Sequence, residues 1–399
     1  MRLSRLRLGG FIGLCALAVT VATVYVVYTA RRAGPAATTI PILAPAKSPP
    51  VQRAPASTAG SNAKRTPDDR EHEPRREAAA RPETAPRVTK PETSKASSEA
   101  RPAARGETAY LVFRSTALGS TYGSLALAPL DALGGASTIT TLHCVRVHMA
   151  AGAGVCLNTD PGGLPFPTYR AIVFDAELRP RHTFPRSGGV PSRVRVSPDG
   201  HLAAITVFVN GHSYAAASFS TLTTVVDLES GDMLIDNIEK FTILRDGKPL
   251  REIDFNIWGV TFARDSRRFY ATLRTGGRTY LIEGDVKTRE ARVLRENVEC
   301  PSLSPDNTRL AFKKREDGGF GPVTWRLSVL ELKTLEDWPL SEKRSVDDQV
   351  EWLDDRRVLY SLPEEGTAVT NTWVVPADGG GEPPRLFMPN AYSTVLLRK

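Results

Sequence analysis

Six polar side chains stand just before predicted strands of this 399-residue sequence, in loops of the kind that often carry functional groups. They are Arg193, Asp254, Asn256, Glu299, Asp347 and Asp348. Gathered at one rim, four carboxylates, an amide and an arginine could hold a Ca²⁺ ion, a peptide amine or a basic segment of a partner. A pair of these carboxylates could also serve a hydrolase as acid and base. The competing interpretation is that they cap turns or pair with neighbouring arginines.

A second candidate group contains two cysteines that flank a predicted hairpin loop at 150–154. The loop would bring Cys144 and Cys156 close together on adjacent strands, which in an oxidising compartment suits a cross-strand disulfide. Two alternatives stay open at this point. The cysteines could be separate buried thiols, or Cys144 and His148, which share a strand face, could bind a metal ion. Cys15 and Cys300 have no evident partner.

The common catalytic motifs are absent from the sequence. It contains no G-x-S-x-G, no H-E-x-x-H, no Walker loop and no C-x-x-C. The stretch at 211–224 enlarges one strand-rich unit, and we expect it to form a surface loop that contributes to binding. Trp258 and Trp352 lie early in predicted strands, where we expect them to fill the core.

A repeated hairpin pattern in the sequence predicts the strands that must position these residues. Its clearest copy is ECPSLSPDNTRLAFKK at 299–314, which reads as a strand, a tight turn and a second strand. Related copies place turn aspartates at Asp199, Asp265, Asp306 and Asp354, which are 66, 41 and 48 residues apart. Strand-rich repeats of roughly 40–50 residues are typical of β-propeller blades.

From residue 107 onward, the sequence divides into six such units. The first unit lacks an innermost strand, whereas residues 393–397 form a strand with no unit of their own. We therefore predict an all-β, six-bladed propeller over 107–399, with the C-terminal strand closing the ring and removing an open sheet edge. The loops that lead into the innermost strands would then bring the six polar side chains to one mouth of the central channel.

The N-terminal residues are of a different kind. Residues 8–28 carry no charge and as a helix would extend roughly 31 Å, so we predict a transmembrane anchor that follows a short cytoplasmic segment at 1–7. Residues 29–106 are rich in Pro, Ala and Arg and are predicted to be a disordered linker. The propeller would be extracytoplasmic, on a single-pass protein of the cell membrane.

The net charge of +8 at first favours nucleic acid as a partner. Its distribution along the chain does not. Residues 1–30 contain three arginines and no acid, and residues 31–108 contain 15 basic against 9 acidic side chains. The remaining 291 residues hold 34 basic and 35 acidic side chains, so the folded part has no general attraction for phosphate backbones.

The Ser-Pro-Asp-Asn hairpin, followed by a strand and an Asp-Gly turn, resembles the repeat of TolB-type propellers over residues 107–399. The resemblance implies a non-enzymatic envelope protein that binds other proteins through the propeller face and the central channel. The chain departs from that pattern in its predicted uncleaved anchor and in the absence of a small α/β domain before the propeller.

We therefore expect a membrane-anchored protein-binding or scaffold module that acts on a protein or peptide partner and needs no cofactor, apart from Ca²⁺ if the acidic mouth holds one. A propeller hydrolase or lyase that uses the acidic mouth is the first alternative. A ligand-sensing, receptor-like module is the second. A catalytic site is not predicted.

Overall fold

A computed structural model of the protein describes residues 109–160, 167–185, 187–216, 218–316 and 323–398. The predicted cytoplasmic segment (1–7), anchor (8–28) and linker (29–106) lie outside the described residues. Within these ranges no helix is both long and apolar enough to cross a bilayer. The described part consists of six sheets arranged as propeller blades, together with a single turn of 3₁₀ helix at Ile238–Lys240.

The first three blades hold strands β1 to β12 in chain order. Blade 1 contains β1 (Ala109–Ser115), β2 (Ser124–Pro129) and β3 (Thr138–His143). Blade 2 contains β4 (Arg146–Ala150), β5 (Ala153–Asp160), β6 (Thr168–Asp175) and β7 (Pro180–Thr183), and β8 (Ser187–Gly188) pairs with β6. Blade 3 contains β9 (Val190–Val196), β10 (Leu202–Asn210), β11 (Ser220–Asp227) and β12 (Met233–Ile235).

Blade 4 is enlarged by two strands at its outer edge. These are β13 (Thr242–Arg245) and β14 (Lys248–Pro249), and they precede β15 (Asn256–Phe262), β16 (Arg268–Thr275), β17 (Arg278–Asp285) and β18 (Glu290–Glu296). Blade 5 contains β19 (Glu299–Leu303), β20 (Arg309–Glu316), β21 (Thr324–Glu331) and β22 (Asp337–Pro339). Blade 6 contains β23 (Glu351–Asp354), β24 (Arg357–Pro363), β25 (Thr370–Pro376) and β26 (Arg385–Met388).

The last strand, β27 (Ala391–Arg398), closes the ring. It pairs antiparallel with β1, from Ala109 opposite Arg398 to Ser115 opposite Ala391, and becomes the innermost strand of blade 1. Its inward side chains Val395 and Leu397 are 1% and 4% exposed, so closure buries apolar surface as well as pairing an open edge. The predicted fold class and the closing strand are confirmed.

The repeated turns share one hydrogen-bonding pattern, which explains why an aspartate stands in each copy. The carboxylate accepts a hydrogen bond from the backbone N–H two residues further on, at Asp199 (3.0 Å), Asp265 (3.1 Å), Asp306 (3.0 Å) and Asp354 (2.9 Å). The side chain after the aspartate accepts from a backbone N–H in the turn of the preceding blade: Ser266 from Asp199, Asn307 from Arg264, and Asp355 from Asp306. The turns therefore link blades 3 to 6 to one another.

The core lies mainly between neighbouring blades. Trp258 is fully buried and Trp352 is 4% exposed, as expected from the sequence. Trp352 Nε1 donates to the carbonyl of Ser302 in the preceding blade (2.8 Å), so the indole joins two blades by a hydrogen bond as well as by packing.

The innermost strands β4, β9, β15, β19, β23 and β27 surround a central channel. All six run in the same sense, because each is entered from the outer strand of the blade before it. We call the end of the channel where these strands begin the entry face, and the end where they finish, beside the repeated turns, the turn face.

Candidate functional site: the charged entry of the central channel

The centre of the site is a buried pair of cations near the entry face. Lys313 is fully buried on β20, with Nζ 4.3 Å from the ring centroid of Trp325 and 5.0 Å from that of Tyr214. Nζ donates to Asp347 Oδ1 (2.5 Å), and Arg193 Nη2 donates to the same oxygen (3.2 Å). One carboxylate oxygen therefore accepts from two buried cations and offsets only one of their charges.

The pKa values follow from this arrangement. Burial by itself would lower the pKa of Lys313, but the fields of Asp347, Cys300 and Glu299 together outweigh it, and the pKa lies above its ordinary value. Burial would raise the pKa of Asp347, yet Lys313 and Arg193 lower it to about 2. All three groups are therefore charged at neutral pH.

Glu299 lies beneath this pair and is buried on β19. Its Oε2 accepts a hydrogen bond from Trp325 Nε1 (3.1 Å) and is 3.8 Å from Lys313 Nζ, while Oε1 is 3.7 Å from Arg315 Nη1. Burial raises the pKa of Glu299 despite these cations. The carboxyl group is held by an indole and two basic side chains.

A second pairing lies beside the first. Arg146, at the start of β4, has Nη1 3.7 Å from Asp348 Oδ1, and Asp348 Oδ2 accepts from the backbone N–H of Ser361 (3.0 Å). The Arg146 guanidinium lies 4.5 Å from the ring centroid of Tyr392, and that of Arg114 lies 6.0 Å from it. Arginine and tyrosine side chains thus alternate across the mouth of the channel.

Deeper in the channel, His148, Arg195 and Glu351 form a buried triad. Arg195 Nη1 donates to Glu351 Oε2, and His148 Nε2 is 3.6 Å from the same oxygen. Burial would raise the pKa of Glu351, but Arg195 and His148 bring it below its ordinary value. The carboxylate is ionised and shared by two partners.

Donors face both ring nitrogens of His148. The backbone N–H of Val196 donates to Nδ1 (3.0 Å), and Arg195 Nη1 lies 2.9 Å from Nε2, which is 3.6 Å from Glu351 Oε2. A proton on Nδ1 would point directly at the Val196 N–H, so the imidazole is not doubly protonated in this arrangement. Burial and the nearby Arg195 charge also lower the pKa of His148, which therefore remains neutral at physiological pH.

Two openings lie on either side of this triad. On the entry side a narrow cavity of ≈ 30 Å³ is lined by Arg146, Arg193, Arg195 and Asp348, among others. On the turn face a wider funnel of ≈ 400 Å³ has mainly apolar walls that include Met149, Phe262, Leu303 and Leu396. The triad lines both openings, so the channel is polar and narrow on one side and apolar and wide on the other.

The structure places the six side chains predicted from the sequence in two different settings. Arg193, Glu299, Asp347 and Asp348 come together at the entry face, as described above. Asp254 is exposed and accepts hydrogen bonds from Thr275 Oγ1 (2.5 Å) and from the Gly276 N–H (2.8 Å), so it caps a turn of blade 4. Asn256 is buried and accepts from the Thr221 N–H (2.8 Å), which joins blades 3 and 4.

Several contributors to the site were not found from the sequence: Arg114, Arg146, Arg195, Lys313, Glu351, Tyr214 and Tyr392. Lys313 and Arg114 lie on second strands of their blades, where they read as ordinary surface positions. The 211–219 loop was expected on the surface, but its Tyr214 is 2% exposed, lies 4.9 Å from the ring of Trp258, and shares a hydrogen bond with Ser192 (2.5 Å). The one available signal was an aromatic residue within a polar loop.

The cysteine pair is a disulfide, Cys144–Cys156, with Cα atoms 5.3 Å apart, and Cys300 is a buried thiol. No cluster of three or more His, Cys, Asp or Glu side chains suited to a metal ion occurs among the described residues. A Ca²⁺ ion at the entry face would have to displace the cations that already hold Asp347 and Asp348.

Comparisons with known proteins give similarity to other propellers. The chain is similar to TolB from Acinetobacter baumannii (15% identity, TM-score 0.45), covering 73% of its own length and 66% of that chain. It is also similar to an oligogalacturonate lyase from Vibrio parahaemolyticus (12%, TM-score 0.41; 65% and 73% covered) and to a chain of a nidogen/laminin complex (13%, TM-score 0.46; 72% and 98% covered).

No protein-family model and no curated protein matches the sequence. At such low identities and TM-scores, the structural matches assign no activity, substrate or partner to this chain. By its own blade count and closing strand, the described part of the chain is a six-bladed β-propeller.

Proposed function

We propose that this protein is a membrane-anchored, extracytoplasmic binding module that captures a protein partner on the entry face of its propeller. The observation that carries the proposal is the neutralisation of the acidic mouth. Asp347 is paired with Lys313 and Arg193, and Asp348 is paired with Arg146. The carboxylates predicted from the sequence therefore act as counter-ions within the channel entry.

This pairing argues against acid–base catalysis at the mouth. A hydrolase needs one carboxyl group that can donate a proton and a second group that acts as base or nucleophile, both facing the substrate. Here Asp347 has a pKa of about 2 and is held by two cations. Glu299 does have a raised pKa, but it is buried beneath Lys313 and does not line the cavity at the channel entry.

The surface around the mouth offers apolar groups for a protein partner. Large apolar side chains are exposed on loops and strand ends of the entry face: Leu118 (71%), Tyr122 (37%), Val209 (54%) and Ile253 (fully). A polar centre with exposed apolar groups around it can bury apolar area and also select a partner by charge. These positions come from blades 1, 3 and 4, so a partner would span the channel.

Two features support the proposed location. The Cys144–Cys156 disulfide suits an oxidising compartment. The chain enters β1 at Ala109, which pairs with Arg398 on the rim of the turn-face funnel. Ala109, the first described residue, therefore lies on the turn face, at the opposite end of the channel from the entry face.

Site-specific photo-cross-linking of the full-length protein in its own membranes tests the proposal. A photoreactive residue is placed at Ile253 or at Leu118 on the entry face, and a matched one at Leu386, which is 51% exposed on the outer strand of blade 6. We expect the same protein to be captured from both entry-face positions and not from Leu386. Capture from Leu386 alone, or from no position, would contradict the proposal.

The alternative function, a hydrolase or lyase activity, is tested with the same full-length protein. Saccharide and peptide substrates of the envelope are incubated with the wild-type protein and with the Asp347→Asn and Asp348→Asn variants. Turnover that both substitutions abolish while capture is retained would favour the enzyme. A reporter fused after Lys399 that is active only in the cytoplasm would contradict the proposed orientation.

A further inference from the structure

We propose that the entry cluster, made of Arg114, Arg146, Arg193, Lys313, Asp347, Asp348 and Tyr392, is a binding site for a peptide carboxylate from an acidic segment of the partner. The inference rests on the proposed function and specifies the chemistry of the partner. It reverses the expectation from the sequence, in which four carboxylates at the mouth would attract a cation or an amine.

Arg114 is the first observation. Its guanidinium stacks on Tyr122 (4.8 Å to the centroid) and faces Tyr392, and no carboxylate or carbonyl among the described residues accepts from it. Its Nε is buried without a hydrogen-bond partner. Two aromatic rings hold the Arg114 guanidinium in place, and its N–H groups donate no hydrogen bond to the described residues. They are therefore available to bind a carboxylate of a ligand.

The second observation is the charge balance of the channel entry. With Arg195 and Glu351 included, five cations face three carboxylates: Arg114, Arg146, Arg193, Arg195 and Lys313 against Asp347, Asp348 and Glu351. Glu299 and Arg315 lie 3.7 Å apart and offset each other. His148 adds no charge, because its Nδ1 accepts from Val196. The described groups therefore carry a surplus of two positive charges in a poorly solvated site.

The third observation is the cavity beside the entry cluster, lined by Arg146, Arg193, Arg195 and Asp348 among others. The Nε atoms of Arg193 and Arg195 are buried with no hydrogen-bond partner among the described residues. Leaving such donors unpaired costs free energy that an entering acceptor would recover. The cavity measures ≈ 30 Å³, which leaves room for a small polar group such as a water or a carboxylate.

A peptide carboxylate fits these features better than phosphate does. A planar carboxylate matches the donor geometry of arginine, and it is smaller than a tetrahedral phosphate, which suits a cavity of ≈ 30 Å³. A polyanion such as nucleic acid or a lipid surface would gain nothing from the rest of residues 109–399, whose basic and acidic groups nearly balance. Exposed Tyr122 and Leu118 beside the mouth provide contacts for the remainder of a peptide.

Asp347 occupies the position that a ligand carboxylate would compete for. Its Oδ1 accepts hydrogen bonds from both Lys313 and Arg193. Its side chain is 40% exposed and belongs to a loop without regular secondary structure. Removing its charge leaves two cations in need of an anion. The site therefore predicts an unusual result, in which removing an acid tightens the binding of an acid.

Fluorescence anisotropy with labelled peptides tests the inference on the purified full-length protein. One probe is tetraglutamate with an amidated C-terminus, the second is tetra-alanine with a free C-terminal carboxylate, and the control is amidated tetralysine. We expect one or both carboxylate probes to bind saturably and the tetralysine not to bind. Comparison of the two carboxylate probes separates side-chain carboxylates from a chain terminus.

Substitutions assign the binding to the cluster. Replacing Arg114 by Gln should weaken it about tenfold, as expected for the loss of a hydrogen bond between charged groups. Asp347→Asn should tighten binding about fivefold through loss of a competing charge. Arg245→Gln, which removes an arginine stacked 5.0 Å from Tyr280 on blade 4, is the matched control and should have no effect. Near-ultraviolet circular dichroism checks that each variant is folded.

The outcomes distinguish the inference from the function on which it rests. The carboxylate site is overturned if neither carboxylate probe binds saturably. It is also overturned if neither Arg114→Gln nor Asp347→Asn changes the affinity of a probe that does bind. If Ile253 still cross-links a partner in that case, the binding module stands and only its proposed chemistry fails. If no partner is captured while the peptides bind as expected, the carboxylate site stands and the proposed function fails.

Discussion

The Asp347→Asn substitution gives the sharpest test of the energetics of the entry cluster. The change keeps the shape of the side chain and removes the charge shared by Lys313 and Arg193. Lys313 is fully buried and Arg193 is 5% exposed, so neither cation can regain water without local rearrangement. We therefore expect a loss of stability at neutral pH, where all three groups are charged.

The magnitude follows from the pKa of Asp347. Its fall from the ordinary 3.8 to about 2 is equivalent to ~2 kcal/mol of stability, and solvent screening at a side chain that is 40% exposed reduces this to ~1 kcal/mol. The cations left unpaired add to the cost, because breaking a fully buried pair costs ~3–5 kcal/mol and this one is only partly covered. We expect a total loss of ~1–3 kcal/mol at pH 7.

The pH dependence has a defined sign. Because the pKa of Asp347 is depressed in the folded protein, its contribution is present above pH 3.8 and is lost as the pH falls towards 2. The wild-type and Asp347→Asn proteins should therefore differ at pH 7 and converge at about pH 2. Urea unfolding followed by tryptophan fluorescence at several pH values measures this difference.

A matched control is Asp131→Asn, at an exposed turn position, and it should stay within ~0.5 kcal/mol of wild type. Equal stability of the wild-type and Asp347→Asn proteins at pH 7 would refute the proposed dependence of the buried cations on Asp347. A difference that does not shrink below pH 4 would refute the assignment of the effect to this carboxylate.

Three further predictions concern the scaffold. Replacing Cys144 and Cys156 by alanine should cost ~2–3 kcal/mol in urea unfolding, the value for a bridge that closes a loop of 12 residues, and no change would mean that the bridge is not formed. His148 should show no titration between pH 5.5 and 8 in ¹⁵N-resolved NMR, and a midpoint near 6.5 would contradict its neutral state in the folded protein. Asp306→Ala should cost ~1 kcal/mol through lost turn hydrogen bonds, whereas Asp306→Asn should cost less, and equal losses would contradict the turn role.

The fold could be predicted from the sequence because it depends on patterns among residues that are close together in the chain. The turn aspartates repeat at blade spacing, and the closing strand was found because residues 393–397 had no unit of their own while the first unit lacked a strand. Both inferences need only neighbouring residues and strand counting. The boundaries shifted by a few residues, with β27 running from Ala391 to Arg398.

The site was only partly accessible for the same reason. Four of the residues predicted before innermost strands lie together at the channel entry: Asp347 and Asp348 in the loop before β23, and Arg193 and Glu299 within β9 and β19 rather than before them. The partner of Asp347, however, is Lys313 from the second strand of another blade, 34 residues away, and no periodicity marks such a residue as facing the channel. Once these cations are placed, a mouth that looked acidic in sequence carries a positive surplus.

Asp254 and Tyr214 show the two opposite errors. Asp254 looked like a site residue but bonds to a turn of its own blade through Thr275 and Gly276. Tyr214 looked like part of a surface loop but packs on Trp258 beneath the mouth. Both depend on how a loop folds back, which composition does not determine.

The most direct test of the central claim is the yield of the partner cross-linked through position 253 in the full-length protein. The binding module with a carboxylate site predicts that Arg114→Gln lowers this yield, that Asp347→Asn raises it, and that Arg245→Gln leaves it unchanged. A captured partner whose yield falls with Asp347→Asn and is insensitive to Arg114→Gln would contradict the account, because the mouth would then bind through its acids.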